Sequence, residues 1–559
     1  MKDLDSFLQK RLVDISKYLS GIDGISILSA LTFNNLDING TLAVDFENGK
    51  QRIEFDISIA PEYPFRRNGI ETIRFCNKNL IEYGHVMRDG SICIHTSHAS
   101  DLQKKLQIDI NSLKRWIWVY YVNEGRDSKY EHILVEPTEV NGTNYSFLFT
   151  EVEHKFKIGE YGFFQYSKIR NGLFFATNIL NHTVLSFIGK DRKLLANCKW
   201  SNDFFLHGKE LVEEGVFLFV EFSPALYNKF AYSDWSEFSK LINQNALLFL
   251  YNVQKKYSNN TGQTIPLLIG YKINDVEIHW QVILLQTGRF PIEARKIGKD
   301  WYGFFLKESI VWGITKNCSY RYFFGRGKLH NRITNGKVLI IGIGAIGSIL
   351  ATTLTRGGCT NIDILEFDVK YPENICRSEY HFVAGITNKS LELAGLLNSI
   401  SPFINVRVLE EADFNIYTKS LYKIQDEREV IKLFLSQYDM IFDCSTDNDL
   451  LYVLSQLDIN VITMSITNKA KALICGTEPK SYNWVMHQAE FVLENDSEDL
   501  YAPTGCTEPT FLASYNDISA LVQYAIKHIN NKYIDEKPLK NFTLESKLES
   551  GFVVKINEF

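Results

Sequence analysis

The stretch "GKVLIIGIGAIGSILATTL", Gly336 to Leu354, decides the fold of the last third of the chain. An apolar run ends in Gly342, Gly344 and Gly347 and passes directly into a helical pattern. Glycines so placed let a strand turn sharply into a helix whose first N–H groups stay open to a phosphate, and the helix dipole favours the negative charge. That arrangement serves a nicotinamide dinucleotide as well as ATP. The residues around the glycines have to decide between them.

Outward from the glycines, short apolar runs alternate with helix-length segments. "KVLIIGIG", "NIDILEF", "NVRVLEE", "YDMIFDCS" and "NVITMSI" read as buried strands, and "SLELAGLLNSI", "REVIKLFLSQ" and "LLYVLSQL" as the helices between them. This alternation predicts a doubly wound parallel sheet. Glu366 ends the second strand at the distance expected of a ribose-binding carboxylate.

Beyond that strand, "LEFDVKYPENICRSEY" supplies Asp368, Asn374 and Arg377, none of which a dehydrogenase needs there. With Lys389 and the strand end "YDMIFDCSTDN", the order and spacing resemble the ubiquitin-activating superfamily, which includes the sulfur-carrier adenylyltransferases of thiamine and molybdopterin synthesis. Ser378 stands where that family has Gln, and Lys389 is one position off relative to Gly385. The resemblance implies ATP held by Gly342, Gly344, Gly347, Glu366, Asp368, Asn374, Arg377 and Lys389. Attack of a carboxylate on the α-phosphate brings negative charges together, and Arg377 and Lys389 can offset them. Asp447, at the carboxyl end of a central strand, is suited to hold Mg²⁺ bridging the phosphates. Taken singly, Asp447-Asn448 also reads as a turn, Arg377 as a surface ion pair and Lys389 as a solvated helix residue.

Some members of that superfamily capture the activated acyl group on a cysteine. In "YAPTGCTEPTFLASYNDISALVQYAIKHI", Cys506 sits in a Pro-flanked loop ahead of a long amphipathic helix, whose N-terminus would favour a thiolate. Cys444 and Cys475, in or beside strands, read as buried structural thiols.

The first part of the chain has a different pattern. "MKDLDSFLQKRLVDISKYL" places Leu4, Phe7, Leu8, Leu12, Ile15 and Leu19 on one helical face and lacks a signal-peptide core. "GTLAVDFENGKQRIEFDISIA" alternates as a hairpin about a type I′ turn at Asn48-Gly49. "PEYPF", "HVMRDGSICIH" and the helix "DINSLKRWIWVYYV" follow. This succession resembles ubiquitin-conjugating enzymes and implies a catalytic cysteine at Cys93. The family's His-Pro-Asn is absent, with His85-Val86-Met87 in its place; His85, His95 and His98 are the substitutes at hand, each also readable as a structural histidine.

At 559 residues the chain needs several cores. Three domains are expected: a conjugating-like α+β domain over 1–148, a mixed α/β linker domain over 149–325, and a Rossmann-like adenylation domain over 326–559. The linker domain carries no recognisable chemistry; the resemblance to dimeric members of the superfamily implies that a cationic residue near its end, Arg321 or Arg326, reaches a neighbouring ATP site. A formal charge of -6 argues against a nucleic-acid partner, and no segment is apolar enough to span a membrane. Nine scattered cysteines without a Cys-x-x-Cys pair fit a reducing cytoplasm rather than a disulfide or zinc scaffold.

An activating-like and a conjugating-like domain in one chain resemble the bacterial fusion enzymes of CBASS antiphage operons. That resemblance implies adenylation of a protein's C-terminal glycine, thioester formation on Cys506, transfer to Cys93 and ligation to a target amine. It also implies a cGAS-like nucleotidyltransferase as the activated protein, and a homodimer. Three other readings stay open: an adenylyltransferase for a small sulfur carrier, an NAD-dependent oxidoreductase, and a non-catalytic scaffold.

Overall fold

The computed structural model describes residues 2–46, 49–94, 96–125, 133–169, 178–204, 211–257, 262–274, 277–410, 418–493, 513–548 and 551–559. The first packing unit begins with helix α1 (Lys2–Ser20), followed by an antiparallel meander of β1 (Ile25–Asn34), β2 (Asp37–Phe46), β3 (Gln51–Ile59) and β4 (Ile73–Cys76), and then helix α2 (Leu102–Trp116). Alternation in β3 sends Ile53, Phe55, Ile57 and Ile59 to one face, where Leu106, Ile110 and Leu113 of α2 cover them together with Ile15 and Leu19 of α1. The apolar face of α1 is covered along its second half, and Phe7 is left 60% exposed. Pairing of Phe46 with Gln51 and a φ of +80° at Gly49 fit the expected hairpin, although Asn48 lies outside the described residues.

The apolar face of α2 carries an ion pair inside this core. Lys105 Nζ lies 2.5 Å from Asp109 Oδ1, one helical turn on, with side chains 2% and 0% exposed. Tyr63 donates its hydroxyl to Asp109 (2.9 Å), Thr96 does the same (2.7 Å), and Glu71 accepts from Lys105 (3.0 Å). Two buried charges survive desolvation only with partners of this kind. Thr96 lies three residues past Cys93, so the network fastens the downstream side of that cysteine.

The middle of the chain builds an eight-stranded mixed sheet from β5 (Asn144–Phe149), β6 (Tyr161–Lys168), β7 (Ile179–Gly189), β8 (Leu194–Asn197), β9 (Val212–Phe219), β12 (Thr264–Lys272), β13 (Ile278–Gln286) and β16 (Ile314–Asn317). Its order is β13-β12-β9-β6-β7-β5-β16, with β8 on β7. Two small antiparallel pairs project from it, β10 (Ala225–Leu226) with β11 (Phe230–Ala231), and β14 (Ile292–Ile297) with β15 (Asp300–Phe305). Helix α3 (Gln244–Lys256) covers one face of the sheet, and the other is filled by aromatic rings, among them Phe156, Phe187, Phe217 and Trp280. Phe403, from the last unit, joins that second core beside Trp200.

The last unit is the alternating fold expected from the sequence. Strands β17 (Lys337–Ile341), β18 (Asn361–Leu365), β21 (Asn405–Val408), β22 (Met440–Asp443) and β23 (Ile462–Ile466) run parallel in the order β21-β18-β17-β22-β23. Helices α4 (Ala345–Arg356), α5 (Lys389–Ile400), α6 (Gln425–Leu435) and α7 (Asn448–Gln456) connect them. Antiparallel β24 (Ala472–Gly476), β25 (Phe542–Leu548) and β26 (Phe552–Glu558) extend the sheet, β19 (Val369–Lys370) and β20 (Thr387–Asn388) form a separate antiparallel pair, and α8 (Tyr482–Leu493) and α9 (Tyr515–Ile534) pack beside the sheet. Chain order reverses between β17 and β22, and in open sheets of this kind the ligand crevice lies beyond the carboxyl ends at such a point. Among the described residues no helix is long and apolar enough to cross a membrane.

Candidate nucleotide-binding site

The three glycines after β17 do different work. Gly342 has φ +75°, and a Cβ there would lie 2.5 Å from Ser445 Cα and 2.6 Å from Ser445 N, so only glycine permits the approach to the end of β22. A Cβ at Gly347 would meet Gly342 O at 2.0 Å, which lets the first turn of α4 pack on the loop. Gly344 caps α4 with φ −66°, and no heavy atom lies within 4 Å of its would-be Cβ. Here the backbone opens onto free space at a helix N-terminus, the place where an anion is best received.

Carboxylates and lysines rim the same space. Glu366 accepts the N–H groups of Ile343 (3.3 Å), Phe367 (3.0 Å) and Asp368 (3.1 Å), so it shapes the glycine loop as well as facing the crevice. Lys389 is bonded to Asp368 Oδ2. Burial pushes the Asp368 carboxyl upward, and the Lys389 ammonium outweighs it, leaving a lowered pKa. Asp447 caps α7 through Oδ1, which accepts from Asp449 N (3.0 Å) and Leu450 N (3.1 Å), while its Oδ2 lies 2.5 Å from Lys419 Nζ. Burial again opposes ionisation, but Lys419 and the capping N–H groups bring the Asp447 pKa down. Behind it, Asp443 is 1% exposed and accepts from Ser445 N (3.1 Å) and Ser445 Oγ (2.6 Å), and that hydroxyl oxygen in turn accepts from Asp447 N (3.2 Å). This chain of bonds sets the direction of Asp447. Desolvation pushes the Asp443 carboxyl up to about 6.

The result is a cavity of 690 Å³. It gathers Gly342, Gly344, Glu366, Asp368, Lys389 and Asp447 from the residues singled out in the sequence, and adds Thr418, Lys419, Ser445 and Thr446. Ile341, Leu365, Leu450 and Ile466 give it an apolar wall fit for a flat ring. Asn374 and Arg377 are not among its lining residues. They lie on a short helical turn, Pro372–Arg377, where the Asn374 side chain accepts from Tyr371 N at 2.9 Å. Buried Lys370 anchors that segment through His381 O (2.8 Å) and Glu392 (2.8 Å). Tyr515, which opens α9, bonds Glu379 of the same segment. Cys506 lies outside the described residues. Arg321 and Arg326 are exposed and away from the cavity wall. Cys444 and Cys475 are buried thiols, as expected, both with strongly raised pKa values through desolvation.

These residues fit a nucleotide. Open N–H groups and two lysines suit the phosphates, and the apolar wall suits a base. Among the described residues no group of three or more His, Cys, Asp or Glu could cage a metal ion. A single carboxylate acting together with phosphates is the usual setting for Mg²⁺, so Asp447 fits that ion as a partner of the nucleotide.

Cys93 is half-buried, and its N–H bonds His85 O at 2.7 Å. His85 has φ +58°, and its ring lies 4.6 Å from that of Tyr120. His98 is exposed and lies 6.0 Å from the Phe65 ring, and His95 is outside the described residues. Gly90, φ +86°, completes the turn ahead of the cysteine, where a Cβ would come within 2.8 Å of Lys78 N.

Residues 320–498 match the model of the ThiF family. The ATP-dependent ubiquitin transferase-like protein Cap2 of Enterobacter hormaechei subsp. hoffmannii (strain UCI 50) is 26% identical over 373 residues, 61% of this chain and 60% of that protein. Molybdopterin-synthase adenylyltransferase of Haemophilus influenzae (strain ATCC 51907 / DSM 11121 / KW20 / Rd) is 27% identical over 128 residues, 23% of this chain and 46% of that protein. Among solved structures, E. coli MccB superposes on 41% of this chain and 65% of its own at 16% identity, with a TM-score of 0.28. The chain thus spans less than two thirds of the length of these relatives. The resemblance to the ubiquitin-activating superfamily and its antiphage fusion enzymes, expected from the sequence, is borne out by the family model and the first of these relatives.

Proposed function

We propose that this chain activates the C-terminal carboxylate of a protein with ATP and joins it to an amine. The observation that carries the reading is the convergence of Gly344, Lys389, Lys419 and Asp447 on one cavity at the topological switch point. A carboxylate oxygen attacks the α-phosphorus, the bond to the bridging oxygen breaks, and pyrophosphate leaves. Lys389 and Lys419 offset the charge that gathers there, and the family resemblance assigns Asn374 and Arg377, outside the cavity lining, to the phosphates as well. Asp447 would hold Mg²⁺ together with the nucleotide, and the ion would supply further neutralising charge. The Cys506 thiolate then attacks the acyl carbon and releases AMP, the Cys93 thiolate takes over the acyl group, and an amine displaces the Cys93 sulfur to form an amide.

In this reading residues 1–148 form the conjugating-like domain, 149–325 the linker and 326–559 the adenylation domain. The chain works as a cytoplasmic homodimer, and the activated protein is a cGAS-like nucleotidyltransferase in antiphage defence. The similarity to Cap2 supports this version. The similarity to molybdopterin-synthase adenylyltransferase favours a second, in which the acyl donor is a small sulfur carrier and the N-terminal domain only binds partners. Mixing the protein with Mg-ATP and a neighbouring gene product that ends in glycine separates them. Loss of the thiol-sensitive adduct in Cys506→Ala, with Cys93→Ala charged but making no amide, supports the relay; full amide formation by Cys93→Ala rejects it.

A further inference from the structure

The segment 81–86, just ahead of the Cys93 turn, has five of its six carbonyls held by donors from outside itself. Trp116 Nε1 of α2 bonds Gly84 O at 2.9 Å, and the Cys93 N–H bonds His85 O. Three more carbonyls, those of Ile81 (2.6 Å), Tyr83 (2.5 Å) and Val86 (3.2 Å), converge on one ammonium, Lys229 Nζ. Lys229 belongs to the tight β10–β11 hairpin of the middle of the chain, 136 residues beyond Cys93 in sequence.

The hairpin is built to hold that ammonium still. Its turn residues Tyr227 and Asn228 take φ +53° and +55°, its flanks Phe230 and Ala231 are buried, and Leu134 forms a single β-bridge to Phe230. Arg88, from the Cys93 turn, reaches back to Ala231 O (3.0 Å) and lies over the Phe230 ring. An ammonium offers three donors, and all three are used on one loop. Charge-assisted bonds of this kind are the stronger ones, and they place the loop's His85 carbonyl where it fixes the Cys93 backbone.

We infer that Lys229 is a positioning residue for the Cys93 loop, which makes the middle unit a structural part of the cysteine centre. This rests on reading Cys93 as an acyl carrier only for its consequence, not for its test. In the full-length protein, hydrogen exchange is followed by mass spectrometry in peptides covering 81–94 and 102–116, for wild type, Lys229→Met and Lys229→Arg. Lys229→Met keeps the stem and loses the donors; exchange across 81–94 should speed up about tenfold or more, as expected for lost charged hydrogen bonds. Exchange in 102–116 should be unchanged, and Lys229→Arg should restore most of the protection. Unchanged exchange across 81–94, or an equal rise in 102–116, overturns the inference. With substrate, Lys229→Met should slow amide formation from the Cys93 thioester while pyrophosphate release keeps its wild-type rate. If wild type forms no Cys93 thioester, the proposed function falls, and the exchange data still judge Lys229.

Discussion

Replacing Gly342 and Gly344 separately with alanine tests whether the glycine loop is shaped as the structure has it. At Gly342 the φ of +75° costs a side chain about 1–2 kcal/mol. The new methyl would lie 2.5 Å from Ser445 Cα, where carbon atoms normally keep about 3.5–4.0 Å, so the backbone has to retreat by about 1 Å. Overpacking of that kind adds about 1–3 kcal/mol, for a total loss near 2–5 kcal/mol. The shift also moves Ser445, whose hydroxyl oxygen holds Asp447 N–H. Gly344→Ala differs because φ is −66° and the methyl meets nothing. It should cost less stability than Gly342→Ala, but the methyl fills the opening meant for a phosphate, and ATP affinity should fall about tenfold to a hundredfold. Thermal unfolding followed by tryptophan fluorescence, with titration of a fluorescent ATP analogue, reads both effects. A wild-type melt for Gly342→Ala refutes the close approach to Ser445. Wild-type affinity in Gly344→Ala refutes the phosphate assignment.

Three further outcomes follow from named contacts. Asp443 is buried with its pKa raised to about 6 from the ordinary 3.8. The folded state therefore holds its proton more tightly, and this contribution is fully present below pH 3.8 and lost as pH rises through about 6. The stability difference between Asp443→Asn and wild type should change by about 3 kcal/mol across that window in denaturant melts, and a flat difference contradicts the burial argument. Lys419→Met removes the ammonium beside Asp447 and should weaken ATP binding by about tenfold in the same titration, with the melt unchanged. Lys105→Met strands Asp109, 0% exposed, with only neutral partners, and should destabilise the first unit by about 3–5 kcal/mol; an unchanged unfolding midpoint refutes the ion-pair account.

Much of the last unit was legible because its signals are local. A strand ending in glycines, a helix at once after it, and carboxylates at strand ends follow from chain-neighbour sterics and periodicity, and the predicted strands lie in the parallel sheet. Asp447 was readable for the same reason, since it sits just past the carboxyl end of a strand, whereas Lys389 was found only through the family resemblance. Lys419 was not, because nothing in "YTKSLY" signals that a short helix will bring it onto Asp447. Lys229 was equally hidden, since its carbonyl partners lie far back in the chain and carbonyls carry no sequence signature. The Lys105–Asp109 pair had a faint trace: two opposite charges at helical spacing on a face otherwise filled by Leu106, Ile110 and Leu113. Asn374 and Arg377 were found by their order in the chain, and the structure places them on the Pro372–Arg377 turn, outside the cavity lining.

The most direct test of the central claim is pyrophosphate release. Wild type and Asp447→Asn are incubated with Mg-ATP, with and without the neighbouring protein that ends in glycine. The account predicts release by wild type that depends on that protein's terminal carboxylate, and its loss in Asp447→Asn. Release in neither condition, together with saturable binding of NAD in place of ATP, would contradict it.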